Sequence, residues 1–405
     1  MDEMEGFTLN KAEFVQTYAV ERKGTNSLKW DALDVRFGDP NLTAAWVADM
    51  EFKAPNEVLE AIKQRVDHGV FGYSYVWDSY YEAFFNWQQK RHQYEVKKEW
   101  MRFSTGIVTA LYWFVNAFTK PGESVAILTP VYYPFHNAVK DNGRQLVTSA
   151  LVEENGQYHI NFEEFEQKII DEQVKLFIHC SPHNPVGRVW TKEEQERLLA
   201  ICEKHDVLVI SDEIHQDLVF KGHKHLPSAT IENGKYEDRI ITVTAPSKTF
   251  NLAGLLVSHI IIPNETIREQ FDTYVNTVNQ TEVNVLGMTG AEAAYTYGED
   301  WLNGLLEVVY DNYTYLKESL LTHAPNIVIS PLEGTYLTWL DLRAYVKPED
   351  IKSFIQDKCG VAIDYGEWFS QDTKGFIRIN LGTHPKNIEH IVSQMIKHLP
   401  VSSAN

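Results

Sequence analysis

What most restricts the fold of this chain is an alternation repeated along its middle: short apolar runs rich in β-branched residues, separated by longer amphipathic stretches. Ser124-Val125-Ala126-Ile127-Leu128-Thr129, Gln145-Leu146-Val147-Thr148, Val174-Lys175-Leu176-Phe177-Ile178-His179, Val207-Leu208-Val209-Ile210-Ser211 and Ile240-Ile241-Thr242-Val243-Thr244 read as buried strands. Residues 191–205 read as a helix, with Thr191 and Glu194 forming a capping box and Leu198, Leu199 and Cys202 an apolar stripe. Strands that are apolar along their whole length need cover on both faces. Their alternation with helices therefore implies an α/β fold with a mostly parallel sheet.

At 405 residues the chain exceeds a single domain of about 150 residues. The texture changes after residue 298, where a helix-like stretch over 301–321 leads to strand-like Ile327-Val328-Ile329-Ser330 and Thr335-Tyr336-Leu337-Thr338-Trp339. A further helical pattern and Gly375-Phe376-Ile377-Arg378-Ile379-Asn380 follow. We therefore expect a large α/β domain over residues 51–297 and a smaller α+β domain over 298–405. Residues 1–50 show little periodicity and are expected to wrap onto the smaller domain, which makes 55–65 the first regular helix.

Lys and Arg total 37 against 56 Asp and Glu, a net charge of −19 that repels a phosphate backbone, so nucleic acid is not an expected partner. Cys180, Cys202 and Cys359 are too few and too scattered for a disulfide framework. The start is acidic, Met1-Asp2-Glu3-Met4-Glu5, and no apolar run reaches the length of a membrane span. A complete, cytoplasmic chain with no membrane partner is the expectation.

Sites in parallel α/β sheets lie beyond the carboxyl ends of the strands. One strand runs into Ser181-Pro182-His183-Asn184-Pro185-Val186-Gly187, another into Asp212-Glu213-Ile214-His215, a third into Ala245-Pro246-Ser247-Lys248-Thr249. Singly, each has a plain explanation: Asn184 shapes a turn, Asp212 caps an element and Lys248 is a solvated charge. Together they bring an amide, a carboxylate and an amine to one crevice, the set that pyridoxal phosphate chemistry requires.

These three motifs, with Arg378 in Phe376-Ile377-Arg378-Ile379-Asn380, resemble the signature of fold-type I pyridoxal-phosphate enzymes of the class I/II aminotransferase superfamily. Lys29-Trp30-Asp31, Trp46-Val47-Ala48-Asp49-Met50-Glu51-Phe52, Gly69-Val70-Phe71-Gly72-Tyr73 and Thr129-Pro130-Val131-Tyr132-Tyr133-Pro134-Phe135 resemble more narrowly its MalY/PatB branch, the cystathionine β-lyase-like carbon–sulfur lyases. The resemblance implies a PLP-dependent transferase-like fold, with a seven-stranded, mostly parallel sheet flanked by helices in the large domain. It also implies a pyridoxal 5'-phosphate cofactor, and a homodimer with shared active sites.

By this resemblance Lys248 carries the cofactor aldehyde and acts as general base, and Asp212 faces the pyridine nitrogen. Asn184 donates to the phenolic oxygen, and Tyr132 stacks over the ring with Tyr133 as its competitor. His215 stands where many aminotransferases carry a tyrosine. Gly106, Ile107 and Val108, at the start of a helix-like run, are phosphate ligands with Ser247. Tyr73 reaches the phosphate of the other subunit. Arg378 binds the substrate carboxylate through a bidentate fork, because an arginine among Phe376, Ile377 and Ile379 needs an anion. Trp46 and Trp368 border the substrate side chain.

His223-Lys224-His225 reads as exposed polar loop rather than a metal site, and Glu193-Glu194-Gln195-Glu196 as helix surface. The implied reaction is β-elimination from a sulfur amino acid such as cystathionine or another cysteine S-conjugate, giving a thiol, pyruvate and ammonia. An aminotransferase shares the early steps and is the first rival; a non-catalytic regulatory protein on the same scaffold is the second.

Overall fold

A computed structural model describes residues 10–279 and 282–399. Its centre is a seven-stranded sheet built from β1 (Met101–Ser104), β2 (Ser124–Thr129), β3 (Gln145–Ala150), β4 (Leu176–Cys180), β5 (Leu208–Asp212), β6 (Ile240–Thr244) and β7 (Ser258–Ile261). The order is β1-β7-β6-β5-β4-β2-β3. Only β7 runs against its neighbours β1 and β6; the other pairings are parallel. Strands β2, β4 and β6 are buried along their whole length, the pattern a doubly covered sheet demands.

Register decides where the chemistry lies. Cys180 pairs with Asp212 and Asp212 with Val243, so the carboxyl ends of β4, β5 and β6 form one row. Five helices recur below: α1 (Lys11–Tyr18), α2 (Ile107–Phe118), α3 (Lys192–Lys204), α4 (Pro246–Thr249) and α5 (Glu299–His323). The expected capping box of α3 is present, with Thr191 Oγ1 accepting from the Glu194 N–H and Glu194 accepting from the Thr191 N–H.

A four-stranded sheet follows in the last quarter of the chain, made of β8 (Val328–Ile329), β9 (Leu337–Asp341), β10 (Asp364–Tyr365) and β11 (Phe376–Asn380) in the order β8-β9-β11-β10. Thr43–Ala44 pairs in parallel with Val361–Ala362, which ties the N-terminal segment to this part of the molecule.

Three expectations are corrected. The first regular helix is α1, not a helix at 55–65: Asn10 and Glu13 close a capping box on a stretch whose buried face is only Phe14 and Tyr18, too few for a visible period. Phe14 seats against α5 at Gly304, where a Cβ would come within 2.6 Å of its ring. The run at 193–196 is not all surface, since Gln195 is buried against the Leu226 carbonyl and Glu194 accepts from Arg188. His225 is buried, its Nε2 3.0 Å from Glu213 Oε2, while His223 is exposed.

The N-terminal segment is locked by a buried ion pair. Lys29 is wholly enclosed and donates to Glu51 Oε2 at 3.0 Å, and Trp30 Nε1 donates to Glu51 Oε1 at 2.9 Å. Removing one partner of such a pair leaves an uncompensated charge inside the protein. Glu51→Ala is therefore expected to lower stability by about 3–5 kcal/mol, read as the shift in a urea unfolding curve.

Candidate active site

The row of strand ends opens into a cavity of about 350 Å³. Its lining contains Gly106, Ile107, Val108, Tyr132, Asn184, Asp212, His215, Ser247 and Lys248, nine of the residues singled out from the sequence. Each arrives by a local rule. Gly106 precedes α2, whose first N–H groups have no intrahelical acceptor and are free to face an anion. Gly106 has nothing within 4 Å of where a Cβ would stand, so the approach to those N–H groups is open. Lys248 lies on α4, a single turn started by Pro246 directly after β6.

Burial sets the charges. Asp212 is buried at the end of β5 and accepts from the Ile214 N–H at 3.1 Å; desolvation outweighs that bond and pushes its carboxyl up to about 7. It is a carboxylate short of a cation. Lys248 is half-buried, and desolvation lowers its ammonium to about 8. Its Nζ donates to the Ala48 carbonyl at 2.6 Å, as does the Tyr336 hydroxyl at 2.7 Å, so the lysine is tethered rather than loose in solvent. Burial, with the charges of Lys248 and Arg378, holds the His215 imidazole well below its ordinary value and thus neutral; its Nδ1 is buried without a partner among the described residues.

Arg378 crosses from β11 to the same place. Nη1 donates to Asn184 Oδ1 at 2.9 Å and Nη2 to the Trp46 carbonyl at 3.1 Å and to Asp364. Because arginine only donates, this bond fixes the Asn184 amide with its oxygen on Arg378 and its NH₂ turned elsewhere. The anion that a buried arginine needs is therefore partly internal. Two of its five N–H donors remain, the second on Nη1 and the one on Nε, and Nε is buried with no acceptor among the described residues.

Tyr132, not Tyr133, lines the cavity; Tyr133 packs edge-on to Trp368 at 6.4 Å and Phe369 at 6.2 Å. Trp46 does not present its indole to a substrate. Its ring is buried edge-on against Phe37 with Nε1 on the Lys29 carbonyl, and it serves the site through its backbone oxygen. Tyr73 is brought to none of these groups, being 99% exposed. Reading the sequence missed Tyr336, Asp364 and Asn380. Asp364 carried a usable signal: an acid inside Val361-Ala362-Ile363 and next to Tyr365 needs a buried cation as much as Arg378 needs an anion.

The arrangement offers backbone donors at a helix start for a phosphate, an amine of depressed basicity for a carbonyl, a carboxylate short of a cation, and an aromatic face. Residues 42–395 match the family model described as aminotransferase class I and II. Cystathionine beta-lyase PatB of Bacillus subtilis (strain 168) is 40% identical over 89% of this chain and 94% of its own. Protein MalY of Escherichia coli (strain K12) is 31% identical over 93% of this chain and 96% of its own. The PLP-bound C-S lyase from Staphylococcus hominis superposes with a TM-score of 0.88 at 36% identity, covering 94% of this chain and 96% of that one. The amine, the carboxylate and the helix start thus stand in a fold-type I cavity for pyridoxal 5'-phosphate, and the chain belongs to the class I and II aminotransferase family, in its MalY/PatB branch.

Proposed function

We propose that the chain is a pyridoxal-phosphate-dependent carbon–sulfur β-lyase that converts L-cystathionine or a related cysteine S-conjugate and water into a thiol, pyruvate and ammonia. The observation that carries this reading is the meeting of Lys248, Asp212 and Asn184 in one cavity with Arg378 at its edge. The names of PatB and of the Staphylococcus hominis C-S lyase support the lyase over the aminotransferase.

The residues fit the cofactor. Ile107 and Val108 N–H groups with Ser247 would hold its phosphate, Asp212 its ring nitrogen, Asn184 its phenolic oxygen, Tyr132 its face and Lys248 its aldehyde carbon. Asp212, raised to about 7 by burial first and by the Glu213 charge, would gain the cation it lacks from a protonated ring nitrogen. When bound, the cofactor supplies a carbonyl that captures amines and a ring that takes up the electron pair of the Cα–H bond.

The chain's own groups then divide the work. Arg378 Nε and its neighbouring edge bind the substrate carboxylate and fix the rotation about the amine. Lys248 Nζ, whose ammonium burial lowers to about 8, takes the proton from Cα as general base near neutral pH. The sulfur on the adjacent carbon leaves as thiolate. His215, neutral and facing Tyr336 at 6.1 Å, is close to the same groups without adding charge.

The active unit in this reading is a homodimer. Val70, Phe71, Tyr73 and Tyr75 are exposed together on one irregular segment, apolar surface that a second copy would cover as Tyr73 reaches its phosphate site. Dissection of sulfur amino acids in the cytoplasm is the corresponding biological setting.

Holoenzyme given L-cystathionine without a keto acid is expected to release pyruvate over many turnovers, and Lys248→Ala to release none. A single turnover that converts the cofactor to its amine form would favour the aminotransferase instead. A second outcome concerns pH. A carboxyl at about 7 in the fold against about 4 unfolded binds more protons when native, so the cofactor-free protein loses stability as pH rises from about 4 to 7. Asp212→Asn should flatten that slope in chemical denaturation series, and added cofactor should flatten it in the wild type.

A further inference from the structure

A second guanidinium, that of Arg36, acts through its charge on the carboxylate that Arg378 holds, without bonding to it. Arg36 lies on the short helix Leu33–Phe37, which ends at Gly38 in the left-handed region with φ 81°. Its guanidinium carbon is 4.9 Å from the ring centre of Trp368 and 5.9 Å from that of Trp46. The residue is exposed, and its N–H groups meet no acceptor among the described residues. Stacking on two indoles fixes the plane of the fork while leaving its donors free.

Aromatic contacts lead from the cavity to this fork. Trp368 meets Tyr133 at 6.4 Å and Tyr133 meets Tyr132 at 5.1 Å, so an aromatic wall runs from the cofactor cavity to Arg36. Arg378 and Arg36 share neighbours: burial raises the Asp364 carboxyl and the Tyr133 phenol, and both guanidiniums pull them back down. Asp364 is already bonded to Arg378, and Arg36 has no ion pair of its own among the described residues of a chain of net charge −19. A substrate whose α-carboxylate sat on Arg378 would have Tyr132, Tyr133 and Trp368 between that anchor and Arg36.

We propose that Arg36 is a specificity-determining residue that binds a carboxylate on the leaving-thiol half of the substrate, so that conjugates with an anionic thiol half are preferred over uncharged S-alkyl conjugates. The inference rests on the β-lyase reading for its choice of substrate. A stacked guanidinium is preorganised for bidentate contact and loses less entropy on binding than a free side chain.

The matched pair S-(2-carboxyethyl)-L-cysteine and S-propyl-L-cysteine tests it on holoenzyme, since the two differ only at the distal carboxylate. Arg36→Gln is expected to lower the ratio of their kcat/KM values about tenfold, chiefly through KM, while Arg36→Lys, which keeps the charge, lowers it less than about threefold. A parallel arm needs no turnover: isothermal titration of the holoenzyme with the sulfur-free analogues L-2-aminopimelate and L-2-aminoheptanoate should show the same loss of preference in Arg36→Gln. An unchanged ratio in Arg36→Gln, or an equal fall for both partners of each pair, overturns the proposal. Absence of pyruvate from either conjugate with the wild type overturns the β-lyase reading, and the titration then still decides Arg36.

Discussion

Five consecutive backbone carbonyls, those of residues 46–50, belong to no strand, with Ala48 lining the cavity, and draw donors from side chains, because a buried carbonyl left without a donor is costly. Every one of them does. Trp46 O receives Arg378, Val47 O receives Asn380, Ala48 O receives Lys248 and Tyr336, Asp49 O receives Lys29 and Asn380, and Met50 O receives Asn251 and Arg22. These donors come from the large sheet's strand ends, from the small sheet and from the N-terminal segment itself. The strap therefore sets the distance between the amine on one sheet and the guanidinium on the other.

The same geometry explains why the site's charges sit where chemistry near neutral pH can use them. Lys248 and Asp212 lie on adjacent strand ends but do not form an ion pair; desolvation outweighs their mutual attraction, so one loses basicity and the other gains it. A close ion pair would have opposed both shifts, leaving the ammonium slower to give up its proton. The Ala48 carbonyl is what holds the amine at that separation, since it accepts from Nζ without contributing a full charge.

Much of this was legible in the sequence where the information is local. Strand ends followed by polar residues gave Asn184, Asp212 and Lys248, and the helix start gave Gly106, Ile107 and Val108, because in a parallel sheet position along the chain translates directly into position at one edge. What depended on distant partners was not legible. β7 is one strand among the parallel ones whose direction reverses, and Ser258-His259-Ile260-Ile261 carries no local mark of that. Trp46 looked like a substrate wall, yet tertiary packing turned its indole inward against Phe37. His225 looked like loop polarity, yet Glu213 draws it into the interior.

Arg378 shows how a buried charge can be both satisfied and available. An arginine with all five donors bonded would serve only the fold, and one with none would be too costly to bury. Here Asp364 neutralises the charge, Asn184 and Trp46 fix the plane, and Nε, with one N–H of Nη1, stays unpartnered among the described residues. A substrate carboxylate that arrives at that edge relieves an unmet hydrogen bond without displacing an existing ion pair. The bond to Asn184 adds a consequence: any rotation of the guanidinium moves an amide that lines the cavity, so Arg378 and the cavity are mechanically one device.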